Sequence, residues 1–385
     1  MITRLELKNF TAFNDLAIDF SPKINVIIGE NGNGKTQLLK SAYALCAGGS
    51  LQGGSAGTGL AEGLTRKLVR LLMPLDDKLG NMRRPGVRGH AQLKASFSLG
   101  EEISLAFSGS TDIATVKANP AYANYRAEPI FVPTKEVLSL VRGMTDADHD
   151  QRTVELIFDD GYLDLAQMLL REGVDDPESK INLDPRYESI APKLTNLIGG
   201  RYQLKNGGFS FQSGIYMERL GRSSAETKAP QVFQKAITRF VAAKTVVLSS
   251  SMTAEGFRKI GVLQRLLTNG TLNPGVSGPL LWDEPESNLN PKLMKFLVEI
   301  LLELSRNGQQ IILATHDYVL LKWLDLLMDR SKGDHVRFHC LHRNESSNEI
   351  RSESLDDYSI IGRSAISNTF AELYDEDVKR ALGDL

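Results

Sequence analysis

Eight residues near the start of the chain constrain its fold more than any other feature. Gly29-Glu30-Asn31-Gly32-Asn33-Gly34-Lys35-Thr36 fits G-x-x-x-x-G-K-[ST] at every fixed position. The run Ile24–Ile28 that enters the string is compact, β-branched and bounded by Pro22 and Gly29, which predicts a central strand. An apolar-periodic segment from Lys35 to about Leu45 leaves it, ending at Ala47-Gly48-Gly49, and predicts a helix. Strand, glycine-rich turn and helix in that order make a cradle for phosphate. The backbone N–H groups of Asn31–Thr36 must turn inward, and glycines permit both that path and the close approach. The helix N-terminus adds the positive end of its dipole. Lys35 then reaches the terminal phosphates, the Thr36 hydroxyl ligates Mg²⁺, and Gln37 is grouped with Gly29–Thr36 as a nucleotide contact.

Composition removes several other classes. Of 385 residues, 45 are Lys or Arg and 47 Asp or Glu, a net charge of −2. That balance excludes a wholly basic nucleic-acid binder and an acidic tail protein, though not a local basic groove. Two cysteines, Cys46 and Cys340, cannot build a disulfide framework, so a reducing cytoplasm is expected. The longest apolar run, Phe296–Leu304, is broken by Glu299 and Glu303, so no membrane span is expected. The opening Met1–Phe10 carries charge without an apolar core, unlike a signal peptide.

The rest of the chain falls into segments of distinct pattern. Ile2, Leu5 and Leu7, then Leu16, Ile18 and Phe20, carry the spacing of two half-buried strands. Gly48–Gly59 reads as a loop, Leu64–Leu75 as a helix, and Gln92–Phe97 and Ile103–Phe107 as strands. From about Pro133 the character changes. Thr153–Leu170, Glu188–Leu197 and Glu226–Val241 have helical spacing. Between the last two, Tyr202–Leu204 and Phe209–Phe211 flank Lys205-Asn206-Gly207-Gly208, a hairpin pattern. Thr245–Ser251 follows Glu226–Val241 and closes the middle region, roughly Val137–Ser251, which reads as a mostly helical insertion. After it, Pro279–Trp282, Pro291–Ser305 and Gln310–Ala314 alternate strand, helix, strand, the mark of a parallel α/β layer.

Leu280-Leu281-Trp282-Asp283-Glu284 is an apolar strand that ends in two adjacent carboxylates. A strand buried on both faces ends so only where something at its C-terminal edge needs negative charge. Beside a phosphate loop, Asp283 suits a Mg²⁺ ion and its water, and Glu284 suits a general base for an attacking water.

At this point the residues resemble a known family. Asp283-Glu284-Pro285-Glu286-Ser287-Asn288-Leu289-Asn290-Pro291 is similar to the Walker B and D-loop of ABC-type ATPases of the SMC, RecF and OLD-like branch. Ile311-Ile312-Leu313-Ala314-Thr315-His316-Asp317 resembles the switch-histidine strand of that family. Lys8-Asn9-Phe10-Thr11 resembles its opening strand, which places Thr11 toward the adenine end of the nucleotide. The resemblance implies an α/β P-loop NTPase fold, an ABC-type head with a mixed sheet and a mostly helical insertion. It implies ATP and Mg²⁺ as ligands, ATP hydrolysis with Glu284, His316 and Lys35 as catalytic residues, and a metal seat at Thr36 and Asp283. His316 would hydrogen-bond the γ-phosphate or the attacking water.

The head would comprise 1–136 and 250–345, the insertion 137–249 with its β-hairpin, and 346–385 a segment that contacts a partner. Two motifs depart from the family's pattern. The signature segment that meets the γ-phosphate of an opposite subunit is best matched by Ser251–Lys259, without a Ser-Gly-Gly, so that either Thr253 or Glu255 takes the serine position; Thr253 and Gly256 are its candidate nucleotide contacts, with Arg258 or Lys259 meeting phosphate or a carboxylate. No glutamine marks the Q-loop, and Pro133-Thr134-Lys135-Glu136 substitutes for it, with Glu136 as a metal or water contact. The implied partner is a second copy, in a head-to-head dimer that sandwiches two Mg-ATP. Chains of this kind resemble the ATPase components of bacterial antiphage systems such as Septu and PARIS, which implies a separately encoded nuclease or toxin as effector. The alternative within the resemblance is a RecF- or SMC-like ATPase of DNA repair or DNA ends, and nucleic acid is left open as a partner.

Weaker constellations carry less. His335, His339, Cys340 and His342 fall on both faces of one strand, so they do not converge on a metal. Arg83-Arg84-Pro85-Gly86-Val87-Arg88 reads as a solvated basic loop, and Asp146-Ala147-Asp148-His149-Asp150 as the acidic first turn of a helix.

Overall fold

The computed structural model describes residues 1–49, 58–145, 150–173, 185–220, 236–243, 247–344, 347–358 and 365–382. Most of the glycine-rich Gly48–Gly59 segment, most of Asp146–Asp150, and part of Thr245–Ser251 therefore lie outside the described residues. The chain forms two compact units. One comprises residues 1–134, 155–163 and 275–385, the other 135–154 and 164–274.

In the first unit, strands β1 (Ile2–Phe10) and β2 (Phe13–Asp19) form an antiparallel hairpin, as the alternation of Leu16, Ile18 and Phe20 predicts. Ile2 and Leu5 share the buried face although three positions apart. A register irregularity between Ile2 and Arg4 in the pairing with β4 (Ala91–Phe97) explains this spacing. With β5 (Glu102–Phe107) and β6 (Thr115–Ala118), these strands make an all-antiparallel sheet in the order β2-β1-β4-β5-β6.

A second sheet holds β3 (Ile24–Gly29), β7 (Ile130–Val132), β12 (Leu280–Asp283), β13 (Ile311–Thr315), β14 (Val336–Arg343) and β15 (Ile350–Leu355). Its order is β15-β14-β3-β13-β12-β7, parallel except for the antiparallel β14–β15 edge. Every residue of β3, β12 and β13 is buried, as expected of parallel strands covered on both faces. Helix α1 (Lys35–Ala47) has its apolar residues in one core with both sheets, joined by residues of α2 (Thr58–Leu72). The C-terminal turn of α1 is tied by the Tyr122 hydroxyl, which donates to Leu45 O at 2.7 Å. A Cβ at Gly48 would stand 2.4 Å from that hydroxyl, so the helix must end on glycine there. No helix among the described residues is long and apolar enough to cross a membrane.

Short helices α3 (Val141–Thr145) and α4 (Gln151–Ile157) are followed by α5 (Asp160–Leu170), so the single helical pattern of Thr153–Leu170 is broken at residues 158–159. Arg70 of α2 donates to Glu155 O and to Phe158 O at 3.0 Å, and pairs with Asp160 at 3.1 Å, which holds that break on the first unit. In the second unit, α6 (Pro185–Glu188) and α7 (Ile190–Ile198) precede the hairpin of β8 (Gly200–Lys205) and β9 (Gly208–Leu220). Asn206 and Gly207 both have positive φ, 53° and 71°, the pair of values that a two-residue primed turn needs. Where a helix over Glu226–Val241 was expected, the described part is a strand, β10 (Ala236–Ala242), paired with β9. Ile237, Thr238 and Val241 are β-branched, and Phe240 packs on Tyr216 of the neighbouring strand at 5.5 Å, so cross-strand packing wins over a helical spacing. Strand β11 (Leu248–Ser249) completes this sheet, and α8 (Glu255–Thr268) follows. Helices α9 (Pro291–Arg306), α10 (Tyr318–Leu327) and α11 (Ala365–Leu382) return to the first unit.

One buried amide joins the two sheets of the first unit. Gln310 Oε1 accepts from Ile2 N at 3.0 Å, and Nε2 donates to Ile2 O at 2.8 Å and Ser21 O at 2.9 Å. Gln310→Leu would keep the volume but take this amide from Ile2 N and Ile2 O, while Ser21 O keeps its bond from Asn25 Nδ2. It is expected to lower stability by about 2–6 kcal/mol, from roughly 1–3 kcal/mol for each of the two groups, read by urea or thermal unfolding.

Candidate nucleotide-binding site

The site forms where the parallel strands end. Register fixes the order: Thr315 lies beside Ile28, and Ala314 beside Asp283, so the C-terminal ends of β3, β13 and β12 reach one edge. There the chain leaves β3 into the phosphate loop, β12 into Glu284 and β13 into His316. Gly32 and Gly34 have φ of 85° and 83°, the left-handed region that glycine supplies without strain. A Cβ at Gly34 would lie 2.7 Å from the Phe13 ring and 3.4 Å from Ala12, so the β1–β2 turn with Thr11 packs directly on the loop. Asn33 braces the loop from the other side, donating to Leu341 O at 3.1 Å. Gly29 passes Leu341 so closely that a Cβ would meet its carbonyl oxygen at 2.6 Å.

Lys35 is buried and donates to Gly29 O at 2.7 Å and Glu30 O at 3.1 Å. Burial pulls its ammonium pKa down, opposed by the carboxylates of Glu284, Asp283, Glu286 and Glu30. Thr36 Oγ1 donates to Asp283 Oδ2 at 2.9 Å, and Thr134 Oγ1 donates to the same oxygen at 3.2 Å. Asp283 is raised above the usual carboxylate range, by burial first and by its neighbour Glu284, against those two hydroxyl bonds. Glu284 continues the strand pairing, with its N–H donating to Ala314 O at 2.9 Å, and then turns at a φ of 48°. A non-glycine residue held in that region is strained, a common feature of functional sites. Its Oε1 stands 3.2 Å from His316 Nδ1.

Among the described residues, Thr11 Oγ1, Gln37 Oε1, Asp283 Oδ1 and Glu286 Oε2 are buried without a hydrogen-bond partner. Three of these four belong to positions expected to touch the nucleotide or its metal. Buried oxygens this close to a phosphate loop need partners that the chain does not supply. Asp283 Oδ1 beside the Thr36 hydroxyl fits a hard divalent cation such as Mg²⁺, which takes few protein oxygens and keeps waters and phosphate oxygens for the rest.

The structure brings together Thr11, Gly29 to Gln37, Asp283, Glu284 and His316 within the first unit. Thr253 and Gly256 belong to the second. There Thr253 Oγ1 donates to Ser250 O at 2.6 Å and lies 2.7 Å from the Tyr202 hydroxyl, while Gly256 is buried in the first turn of α8. Arg258 meets a carboxylate, Glu136, at 2.9 Å. Glu136 is thereby held in the second unit, and Thr134 is the residue of Pro133–Glu136 that reaches Asp283. Two contributors were not singled out from sequence. Glu286 is buried with Thr315 Oγ1 donating to its Oε1 at 2.6 Å, and Arg84 reaches the Ala12 carbonyl beside the loop. An isolated Glu in a turn and an Arg in a basic loop give no signal of their own until the fold places them. His339 instead sits in the core between Ser354 Oγ at 2.8 Å and Asn25 Oδ1 at 3.3 Å, where burial pulls its imidazole down to about 3.

Comparison with known proteins agrees with this geometry. Residues 202–322 match a family described as "AAA domain, putative AbiEii toxin, Type IV TA system", and residues 4–70 match a second AAA-domain family. The DNA replication and repair protein RecF of Ligilactobacillus salivarius is 50% identical over 44 residues, 11% of this chain and 12% of that protein. RecF of Acidothermus cellulolyticus is 26% identical over 164 residues, 40% of this chain and 44% of that protein. The matches thus span less than half of these curated relatives. The solved SMC head bound to the C-terminal winged-helix domain of ScpA shares the fold at a TM-score of 0.50 and 15% identity, covering 93% of this chain and 98% of that one. The fold is that of a P-loop NTPase of the SMC-head type. Within that fold the chain is similar to AAA-domain proteins over residues 202–322 and 4–70, and in part to RecF.

Asp283 offers a direct check of the metal seat. Its pKa is raised on folding, so its ionised form costs stability at neutral pH, and that cost disappears as pH falls through the raised value. Asp283→Asn is therefore expected to raise stability at neutral pH without nucleotide, and to remove most of that gain on acidification. Unfolding midpoints of both proteins, compared at neutral and at acid pH, read the difference.

Proposed function

We propose that the chain is an ATPase whose ATP-bound heads pair and whose hydrolysis releases them. The observation that carries this reading is the convergence of Lys35, Thr36, Asp283, Glu284 and His316 at one sheet edge. Lys35 would turn from the carbonyls of Gly29 and Glu30 to the β- and γ-phosphates, with the loop N–H groups and the α1 dipole around them. Thr36 and Asp283 would hold Mg²⁺. When bound, the ion screens phosphate charge and orients the γ-phosphoryl group. Glu284 accepts a proton from the attacking water as its oxygen bonds to the γ-phosphorus and the bond to the β–γ bridging oxygen breaks. His316 holds the water or the γ-phosphate in line. Thr11 and Arg84 flank the other end of the nucleotide, beside the β1–β2 turn.

A second copy would complete the site by presenting Thr253 and Gly256, so that closure reports bound ATP. The toxin-system family over 202–322 and the Walker B string support control of a separately encoded nuclease or toxin in antiphage defence. The RecF matches favour a second reading, an ATPase that acts at DNA in repair. Lys35→Ala is expected to abolish ATP binding, and Glu284→Gln to retain binding, lose turnover by about 100-fold or more and accumulate an ATP-dependent dimer. Calorimetry, phosphate release and light-scattering mass read these; unaltered ATP affinity in Lys35→Ala overturns the site. Salt-dependent binding of duplex DNA to the trapped dimer would select the repair reading over the defence one.

A further inference from the structure

His316 faces two carboxylates, not one. Its Nδ1 stands 3.2 Å from Glu284 Oε1 and 3.9 Å from Glu286 Oε1. The two acids differ in every other respect. Glu284 is partly exposed, at 27% of its side chain, and follows directly on the metal-seat aspartate. Glu286 is 6% exposed, and its Oε1 is anchored by the Thr315 hydroxyl at 2.6 Å and faces His316 N at 3.4 Å. Its Oε2 is buried with no partner among the described residues. An uncompensated buried carboxylate oxygen is costly, and holding the end of β13 through Thr315 uses only the other oxygen.

We propose that Glu286 is a second seat for the His316 side chain and thereby controls when His316 holds Glu284, the base of the reaction. This rests on the ATPase reading above. An imidazole N–H at Nδ1 can donate to one carboxylate at a time. In the arrangement seen here it points at Glu284, which occupies the oxygen that must accept the proton of water. A small rotation of the ring carries Nδ1 from 3.9 Å onto Glu286 Oε1, the oxygen that Thr315 already anchors, and ends the histidine's contact with Glu284. Glu286 touches neither phosphate nor water in this scheme; it is a positioning residue that acts through His316. The DEPE spacing serves this geometry, because the Pro285 turn brings a second acid back beneath the strand end that carries the histidine.

The test is a double-mutant cycle in the full chain, with steady-state ATP hydrolysis as readout. Glu286→Gln removes the charged seat with little change of shape. It is expected to lower kcat about tenfold while KM for ATP stays within twofold. In a His316→Ala background the same substitution is expected to change kcat by less than twofold, because the residue it acts through is gone. Glu286→Leu, which also removes the Thr315 bond, should behave the same way if it folds, and the Gln variant decides alone if it does not. Equal losses in both backgrounds, a rise in KM alone, or an unchanged kcat would each overturn the proposal. Wild-type turnover no higher than that of Glu284→Gln would overturn the ATPase reading, and this inference with it.

Discussion

Parallel pairing of β13 with both β3 and β12 decides where every acid and base at the site stands. The pairing is a backbone property, but a one-residue slip would invert each side chain and move Thr315 away from Glu286. Full burial on both faces forbids that slip, since it would turn apolar side chains of all three strands away from the neighbours they pack against. Asn25 adds a polar constraint. It is fully buried near the start of β3, and its amide bonds Ser21 N and Ser21 O while facing His339. A polar residue satisfied in this way is a register pin, because any other alignment would strand its donors.

That rigid edge is then loaded with charge that it cannot fully compensate. Elsewhere in the first unit, partly buried ions meet their opposites: Lys40 with Asp159 at 2.7 Å, Lys67 and Arg70 with Asp160, and Arg306 with Asp334 at 2.6 Å. At the strand ends the pattern is broken. Burial moves Lys35 down and Asp283 and Glu286 up, each toward its neutral form. A fold that pairs its charges well in one place and poorly in another has tolerated the second for function.

Much of this could be read from sequence, and the misses have physical causes. The loop string, the buried run before it and the Asp283-Glu284 strand end announce themselves because each combines a period with a fixed residue type. The failures lie where tertiary partners choose the conformation. Glu226–Val241 has helical spacing, yet in its described part Tyr216 and the β9 edge make a strand. Thr153–Leu170 looks continuous, yet Arg70 and Lys67 hold a break at its middle. At the site, Glu136 was the expected metal or water contact of Pro133–Glu136, yet the fold holds it on Arg258 and brings Thr134 to Asp283 instead.

The charge at the loop also argues for what it accepts. Glu30, Asp283, Glu284 and Glu286 all act on Lys35, so four carboxylates face one ammonium. A bare polyphosphate would add like charge to an already acidic pocket, and one helix dipole offsets only about half an elementary charge. The binding partner that suits this field is a phosphate group that arrives already neutralised in part by a divalent cation. Of those acids, Asp283 beside the Thr36 hydroxyl is the one placed to hold such a cation. The near-neutral whole chain conceals this local arrangement, because the surplus of acid at one edge is a few residues among many that cancel.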